Sequence, residues 1–472
     1  MMALVGVASP ARAQQLVSPT TVPLTTPLDQ TPIAVSVNSG LRLADTRPMR
    51  AGAWPTKRPV RVFQTEVAVT GAPWMRLTFD SVLLSGDPSL GTDAFLWITS
   101  LADGAVQVMT QDDLEKWNYT SAYFNGDRVK IELFAYPNTG PVQLQMSTVL
   151  AGMAADADPE SLCGSDNRVT STDGRSGRVL PAQCTAFMIN DSTHNFLTAG
   201  HCAFGLSVVQ FNVPDSTTGG VIVNPPPEDQ YPVDPASIQS QFQGIGFDWA
   251  YFGCFQNSNT GLTPFQAQGS FYNIANTAPP VLNQTIRVTG YGTDTTPTTA
   301  NQTLQTSTGP YTALAGDVIR YQVDTTGGNS GSAVIDLTTG LCIGVHTNAG
   351  CTAVGSGANQ GTNIKQSNLR AALASPTGIS AASDCNINGV PDSIDIAQGA
   401  ADCNANGVPD TCEAITSPVD LNSDGFVDAG DVSVILNTFG AEGGASDLNG
   451  DGIVDGGDIA VVLNLWGNAC GG

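Results

Sequence analysis

Phe196-Leu197-Thr198-Ala199-Gly200-His201-Cys202 decides the reading of this chain, with Gly246-Phe247-Asp248-Trp249-Ala250-Tyr251 and Thr325-Thr326-Gly327-Gly328-Asn329-Ser330-Gly331-Ser332 as its two counterparts. The first is an apolar strand ending in a small-residue turn that carries a histidine. The second embeds one carboxylate among aromatic residues, which predicts that it is buried. In the third, glycines flank a serine, so the backbone can turn tightly and aim N–H groups at one point. Only His194, His201 and His346 supply imidazole in the whole chain. A serine hydroxyl becomes a nucleophile when an imidazole takes its proton and a carboxylate holds that ring. His201, Asp248 and Ser330 follow in that order, 47 and 82 residues apart, inside one β-rich stretch. A Gly-x-Ser-x-Gly elbow is excluded, because Ser332 stands where its last glycine belongs and its serine would come first in the chain.

Each segment alone is modest evidence, and together they resemble the trypsin-like (chymotrypsin-fold) peptidases. Leu197–Cys202 is similar to that family's TAxHC motif, Phe247–Phe252 to its Asp-x-Ala segment, and Gly327–Val334 to its GDSGGP segment. The resemblance implies a double β-barrel over residues 163–374, with His201 as general base, Asp248 orienting it and Ser330 as nucleophile. It implies an oxyanion hole from the N–H groups of Gly328 and Ser330, and a disulfide between Cys184 and Cys202. Asn329 replaces the family's usual aspartate, so activation through an aspartate–ammonium ion pair is not expected. The run from Asp324 to Val334, with Cys342–Thr347, is closer to the glutamyl endopeptidase (V8-type) branch. There a hydroxyl and a histidine line the primary pocket, and Thr325 and His346 match them, which implies cleavage after Glu or Asp. Arg168, Arg175 and Arg178 would suit processing by a trypsin-like enzyme, and Glu160 would suit self-cleavage. The alternatives are another primary specificity on the same fold, or an inactive calcium-dependent surface scaffold.

At 472 residues the chain is too long for one core. Residues 1–13 are read as a signal peptide, from the Ala11-Arg12-Ala13 site, although a basic n-region is lacking. Ten cysteines with few zinc-like spacings fit disulfides in an oxidising compartment, so the protein is expected to be secreted. Residues 14–44, rich in Pro and Thr around 18–32, read as a linker. Residues 45–150 show short alternating segments such as Val60–Val69 and Val129–Tyr136, which predict a β-sandwich serving either as a structural or pro-region module or as a binding domain. The fold class is therefore mainly β, closed by a small α-helical C-terminal region. Cys342–Cys351 and Cys163–Cys254 are expected as further disulfides, and residues 375–383 as a second linker.

The tail repeats one pattern four times. Asp384, Asn386, Asn388, Asp392 and Asp395 form the first set; Asp402, Asn404, Asn406, Asp410 and Glu413 the second. Asp420, Asn422, Asp424, Asp428 and Asp431 form the third; Asp447, Asn449, Asp451, Asp455 and Asp458 the fourth. Each places oxygen ligands at positions 1, 3, 5, 9 and 12 with glycine at 6, the EF-hand rule for Ca²⁺. Fifteen Asp or Glu and no Lys or Arg follow Arg370, so the tail carries −15 of the net −24. The last two loops precede apolar runs, Val432–Phe439 and Ile459–Trp466, and residues 416–472 resemble a type I dockerin. Residues 384–415, with Cys385, Cys403 and Cys412, are more like thrombospondin type 3 repeats. Dockerin resemblance implies a cohesin-like anchoring partner; the loops themselves imply calcium. A chain this acidic has no electrostatic reason to bind nucleic acid or an anionic membrane, and no apolar run is long enough to span one.

Overall fold

The computed structural model describes residues 15–16, 31–44, 58–87, 90–152, 161–400, 402, 407–412, 419–422, 427–464 and 466. The predicted signal peptide, Glu160, and the expected ligands Asn404, Asn406, Glu413 and Asp424 lie outside them. The chain divides into two compact units, one reaching to Ala381 and the other formed mainly by Ala382–Gly472.

In the first unit, two sheets build the N-terminal sandwich. One runs in the order Gln15–Leu16, Val60–Ala68, Arg128–Ala135, Phe95–Ser100, Val106–Met109. The other runs Thr31–Asn38, Pro141–Ala151, Trp74–Thr78, Thr120–Asn125, with Arg42–Leu43 and Ser81–Leu84 also on Pro141–Ala151. Alternating burial along Pro141–Ala151 and Val60–Ala68 places one face of each strand in a core that includes Leu96, Ile98, Ile131 and Leu144. Thr31–Asn38 and Arg42–Leu43, placed in a linker by the sequence reading, are strands of this sandwich. Ile33 and Val37 enter the core, an alternation obscured by the Pro- and Thr-rich residues before it.

Two more sheets follow in the same unit. The first curls through Gln230–Pro232, Leu206–Gln210, Ser176–Pro181, Cys184–Met188, Phe196–Thr198, Asp248–Phe252 and Gln239–Phe242. The second runs Val169–Thr170, Gln305–Ala315, Thr285–Gly290, Ala333–Asp336, Cys342–Asn348, Asn359–Asn363, Val318–Tyr321; pairing of Gln305–Ala315 with Val318–Tyr321 closes six of these into a barrel. This is the double-barrel peptidase fold. The helix Ser367–Ala374 follows, and residues 375–381 pack back on the first sheet instead of forming a free linker. There Gln239 Nε2 donates to Ser375 O, and the Ile379 N–H to Asp234 Oδ2.

The second unit is small and helical, with a core of Val419, Val427, Ile435, Val454 and Val462. Its helices Ala429–Asn437 and Gly456–Asn464 begin three residues before the expected apolar runs. Asp428 caps the first of them, and the Asp431 carboxylate returns to the Asp428 N–H, closing a capping box that starts the helix early.

Candidate active site

His201 stands just past the end of strand Phe196–Thr198, in a short helical turn, Gly200–Gly205, tied to the neighbouring strand by the Cys184–Cys202 disulfide. Gly200 is required there, because a Cβ would lie 2.0 Å from Gln241 O. Asp248 opens the adjacent strand, with its side chain 1% exposed. Its Oδ2 lies 2.8 Å from His201 Nδ1, and its Oδ1 accepts the His201 backbone N–H at 2.9 Å. Both oxygens of a buried carboxylate are thus spent on one residue, which fixes ring and backbone together. From the second barrel, Thr362 holds Asp248 in place by donating its hydroxyl to Asp248 O at 2.7 Å.

Ser330 lies on the turn entering strand Ala333–Asp336 of the second barrel and is partly exposed. The first sheet grips this turn through Thr185, whose N–H donates to Ser330 O at 2.9 Å and whose hydroxyl donates to Gly328 O at 2.8 Å. The Gly331 N–H donates to His346 O at 2.7 Å. Gly331 has φ +92°, and a Cβ there would meet Thr185 O at 2.0 Å, so only glycine lets the serine turn press on the first sheet. Gly328 has φ +96°, and its Cβ would fall 2.4 Å from Tyr291 O and from Gln302 Nε2. With their carbonyls held by Thr185, the N–H groups of Gly328 and Ser330 have no acceptor among the described residues. No hydrogen bond links Ser330 Oγ to His201 in this conformation.

His346 and Thr325 flank one strand, Asn359–Asn363. His346 pairs with Gly361 across the ladder, and Asn359 Nδ2 donates to Thr325 Oγ1 at 2.9 Å. The His346 ring is almost wholly buried, and its Nδ1 lies 2.7 Å from the Tyr321 hydroxyl. The other acceptor of that hydroxyl, Gln360 O, is 3.4 Å away, so the proton belongs on the shorter bond and His346 Nδ1 accepts. The neutral ring then carries its proton on Nε2 as a donor. Burial, and secondarily the charge of His201, push the His346 pKa down to about 3. Thr185, Tyr321, Asn359 and Thr362 belong to no motif in the sequence and were found only through their contacts.

Asn329 is buried beside Thr326, and Arg168 donates to Thr326 Oγ1 at 2.9 Å while its side chain, only 2% exposed, also faces Asp294. Arg178 is fully buried. Neither arginine is presented to a processing enzyme, contrary to the sequence expectation, and Arg175 is held by Asp173 and the Tyr272 ring. His194, despite its polar Asn190–Asn195 surroundings in the sequence, is buried between Phe265 and Phe271. Two expected disulfides are replaced by another. Cys351 bonds Cys163, while Cys342 and Cys254 are thiols. Pairing of Ser161 with Thr325 brings Cys163 alongside the second barrel, and Cys342 faces that barrel's core, away from Cys351.

In the helical unit, the Asp431 carboxylate accepts the N–H groups of Leu421, Asn422 and Asp428, and Asp458 repeats this with Leu448, Asn449 and Asp455. Asp384 and Asp392 fold the first loop in the same inward manner, and Cys385 within it bonds Cys412. Asp392 is buried with one carboxylate oxygen lacking any partner, as is one oxygen of Asp447. Such orphaned oxygens are costly unless a cation completes them, so the donor set fits a hard divalent ion.

Residues 184–345 match the family model described as the trypsin-like peptidase domain. No curated protein matches the chain. Among solved structures, a Glu endopeptidase in complex with MPD is 21% identical with a TM-score of 0.33, covering 45% of this chain and 96% of its own. The protease Anisep from Arthrobacter nicotinovorans is 15% identical with a TM-score of 0.33, covering 44% and 100%. Neuropsin, a serine protease expressed in the limbic system of mouse brain, is 15% identical with a TM-score of 0.31, covering 42% and 92%. The stretch that holds His201, Asp248 and Ser330 is therefore matched by the trypsin-like peptidase domain, a serine-peptidase fold embedded in a longer chain.

Proposed function

We propose that the chain is an exported serine endopeptidase that cleaves after acidic residues, and that Ca²⁺ braces its C-terminal unit. The observation that carries the catalytic reading is the coupling of both Asp248 oxygens to His201, opposite a serine turn whose Gly328 and Ser330 N–H groups are unspent. In this reading Ser330 Oγ attacks the scissile carbonyl while His201 Nε2 takes its proton. Asp248 stabilises the imidazolium so formed, and the two N–H groups stabilise the oxyanion. The imidazolium then protonates the leaving amine, and water, deprotonated by His201, releases the acyl group from Ser330.

Acid preference is supported by the donors at the candidate pocket. Thr325 Oγ1 accepts from Asn359, which leaves its own hydroxyl proton to donate, and His346 offers Nε2–H. Two neutral donors in a buried setting favour a carboxylate over an apolar or cationic side chain. Ser161 lies beside them, its N–H donating to Thr325 O at 3.1 Å. A cut after Glu160 would turn that nitrogen into an ammonium next to the bound acid.

For the tail, Asp384, Asp392, Asp431, Asp447 and Asp458 would hold Ca²⁺ with the remaining loop oxygens, and the ion would supply charge neutralisation. A cohesin-like anchor is the partner this unit would serve. The test is a set of peptides differing only at the cleaved residue (Glu, Asp, Lys, Phe), with Ser330→Ala as control. Preference for Glu of at least tenfold, lost in the control, is expected. Equal hydrolysis of all four would remove the acid preference, and activity in the control would remove the serine mechanism.

A further inference from the structure

We infer that the N-terminal sandwich is a permanent partner of the peptidase part rather than a removable segment, and stays bound when the chain is cut between residues 152 and 161. One edge strand of each sheet of the sandwich faces the peptidase part. Val106–Met109 is the edge of one sheet and Thr120–Asn125 the edge of the other. An exposed edge leaves unpaired N–H and C=O groups. Here both edges are covered by side-chain amides from the peptidase part acting in place of a further strand.

Asn259 accepts the Val108 N–H at 2.9 Å and donates to Val106 O at 2.7 Å. Gln230 accepts the Tyr123 N–H and donates to Tyr123 O, each at 2.9 Å. Asn125 and Asn224 exchange a reciprocal pair, Nδ2 to backbone O at 2.9 Å and backbone N–H to Oδ1 at 2.8 Å. Leu180, Val208 and Ile222 of the peptidase part are buried within the sandwich's own hydrophobic core. A segment that departs would strip all of these at once, leaving Gln230, which is wholly buried, with two of its four side-chain hydrogen bonds, to Gln210 and Pro225 O.

The contact also leads toward the serine turn. Gln230 Oε1 accepts from Gln210 at 3.1 Å, and Gln210 Oε1 accepts from Arg178 at 2.6 and 3.0 Å. Arg178, buried without a carboxylate among its hydrogen-bond acceptors, donates to Gln302 O at 3.1 Å. The Gln302 side chain lies against Gly328 and donates to Tyr291 O. The sandwich therefore supports the Gly328 loop through Gln230 as a positioning residue. This second part rests on the peptidase reading, and the first does not.

The experiment replaces residues 154–159 in the full chain with the recognition sequence of a site-specific protease, cuts it, and runs the product on a sizing column in native buffer. Both pieces are expected to elute together at the intact mass and to separate only under denaturant. Elution of the sandwich as a free fragment overturns the proposal, whether or not peptidase activity survives. In the cut protein, Asn259→Ala is expected to speed amide exchange at Val108 more than tenfold; unchanged exchange contradicts the edge contact. In the uncut chain, Gln230→Ala is expected to lower kcat at least threefold with KM within twofold, and an unchanged kcat removes the link to the Gly328 loop.

Discussion

Asp248 gives both carboxylate oxygens to His201, Oδ2 to the ring Nδ1 at 2.8 Å and Oδ1 to the backbone N–H at 2.9 Å. The ring tautomer with Nε2 free depends on Oδ2 being an acceptor. Asp248→Asn keeps the shape and presents a donor on one side, so the ring is held in the wrong tautomer. We expect kcat to fall by roughly 10³–10⁴, with KM little changed. Steady-state kinetics on a Glu-containing peptide checks this, and a loss below tenfold speaks against the pairing as catalytic.

Gly331 sets the height of the serine turn. A methyl group there meets Thr185 O at 2.0 Å and is strained at φ +92°. Gly331→Ala should displace Ser330 by a fraction of an ångström and cost about 100-fold in kcat/KM. Unchanged far-ultraviolet circular dichroism would locate the loss in the turn rather than in global folding.

Tyr321 directs the His346 proton to Nε2. Tyr321→Phe removes that direction without changing the shape of the ring. The Glu-over-Phe ratio of kcat/KM is expected to drop by about tenfold, the worth of one charge-assisted hydrogen bond. An unaltered ratio would place the acid-binding donors elsewhere.

His346 also sets an acid limit on stability. Its pKa is pushed down to about 3 from 6.5. Between these values the unfolded chain binds a proton that the folded one refuses. The group's contribution is therefore complete above the unfolded value and is lost as the pH falls toward 3, at up to about 1.4 kcal/mol per pH unit. Urea midpoints at pH 7, 5.5 and 4.5 should fall less steeply for His346→Gln than for the wild type. Parallel slopes would mean that the ring is not held neutral.

Calcium removal should act on the helical unit. Fifteen acids without a basic residue repel one another after Arg370, and bound Ca²⁺ offsets that charge. Saturation to 100 times Kd stabilises one site by about 2.7 kcal/mol. Excess chelator should lower the melting temperature of the helical unit, and returning Ca²⁺ should restore it. Identical melting with chelator and with Ca²⁺ would leave the loops as acidic turns.

The His201–Asp248 pairing and the Ser330 turn were legible because their pattern is local in sequence: each residue sits in a short segment whose glycines and apolar neighbours announce a turn or a buried strand. Cys184 and Cys202, 18 residues apart, shared that legibility. Cys163 and Cys351, separated by 188 residues, did not, since contacts across the fold, of Ser161 with Thr325 and with Gly350, bring them together. Thr185, Tyr321 and Asn359 escaped for the same reason; their roles come from neighbours across the barrels. Thr31–Asn38 was missed because the composition upstream of it outweighed a clear alternation of Ile33, Val35 and Val37. The buried amides Gln210 and Gln230 and the half-buried Asn259 gave no signal, as polar residues in strands and loops read as surface.

In the proposed mechanism Ser330 is a nucleophile activated by His201. The most direct measurement is labelling of the intact chain with an active-site fluorophosphonate, followed by peptide mapping. One adduct is expected, on Ser330, absent in Ser330→Ala and reduced at least 100-fold in rate in His201→Ala. An unlabelled Ser330 in the intact wild-type chain, or hydrolysis undiminished in Ser330→Ala, would contradict it.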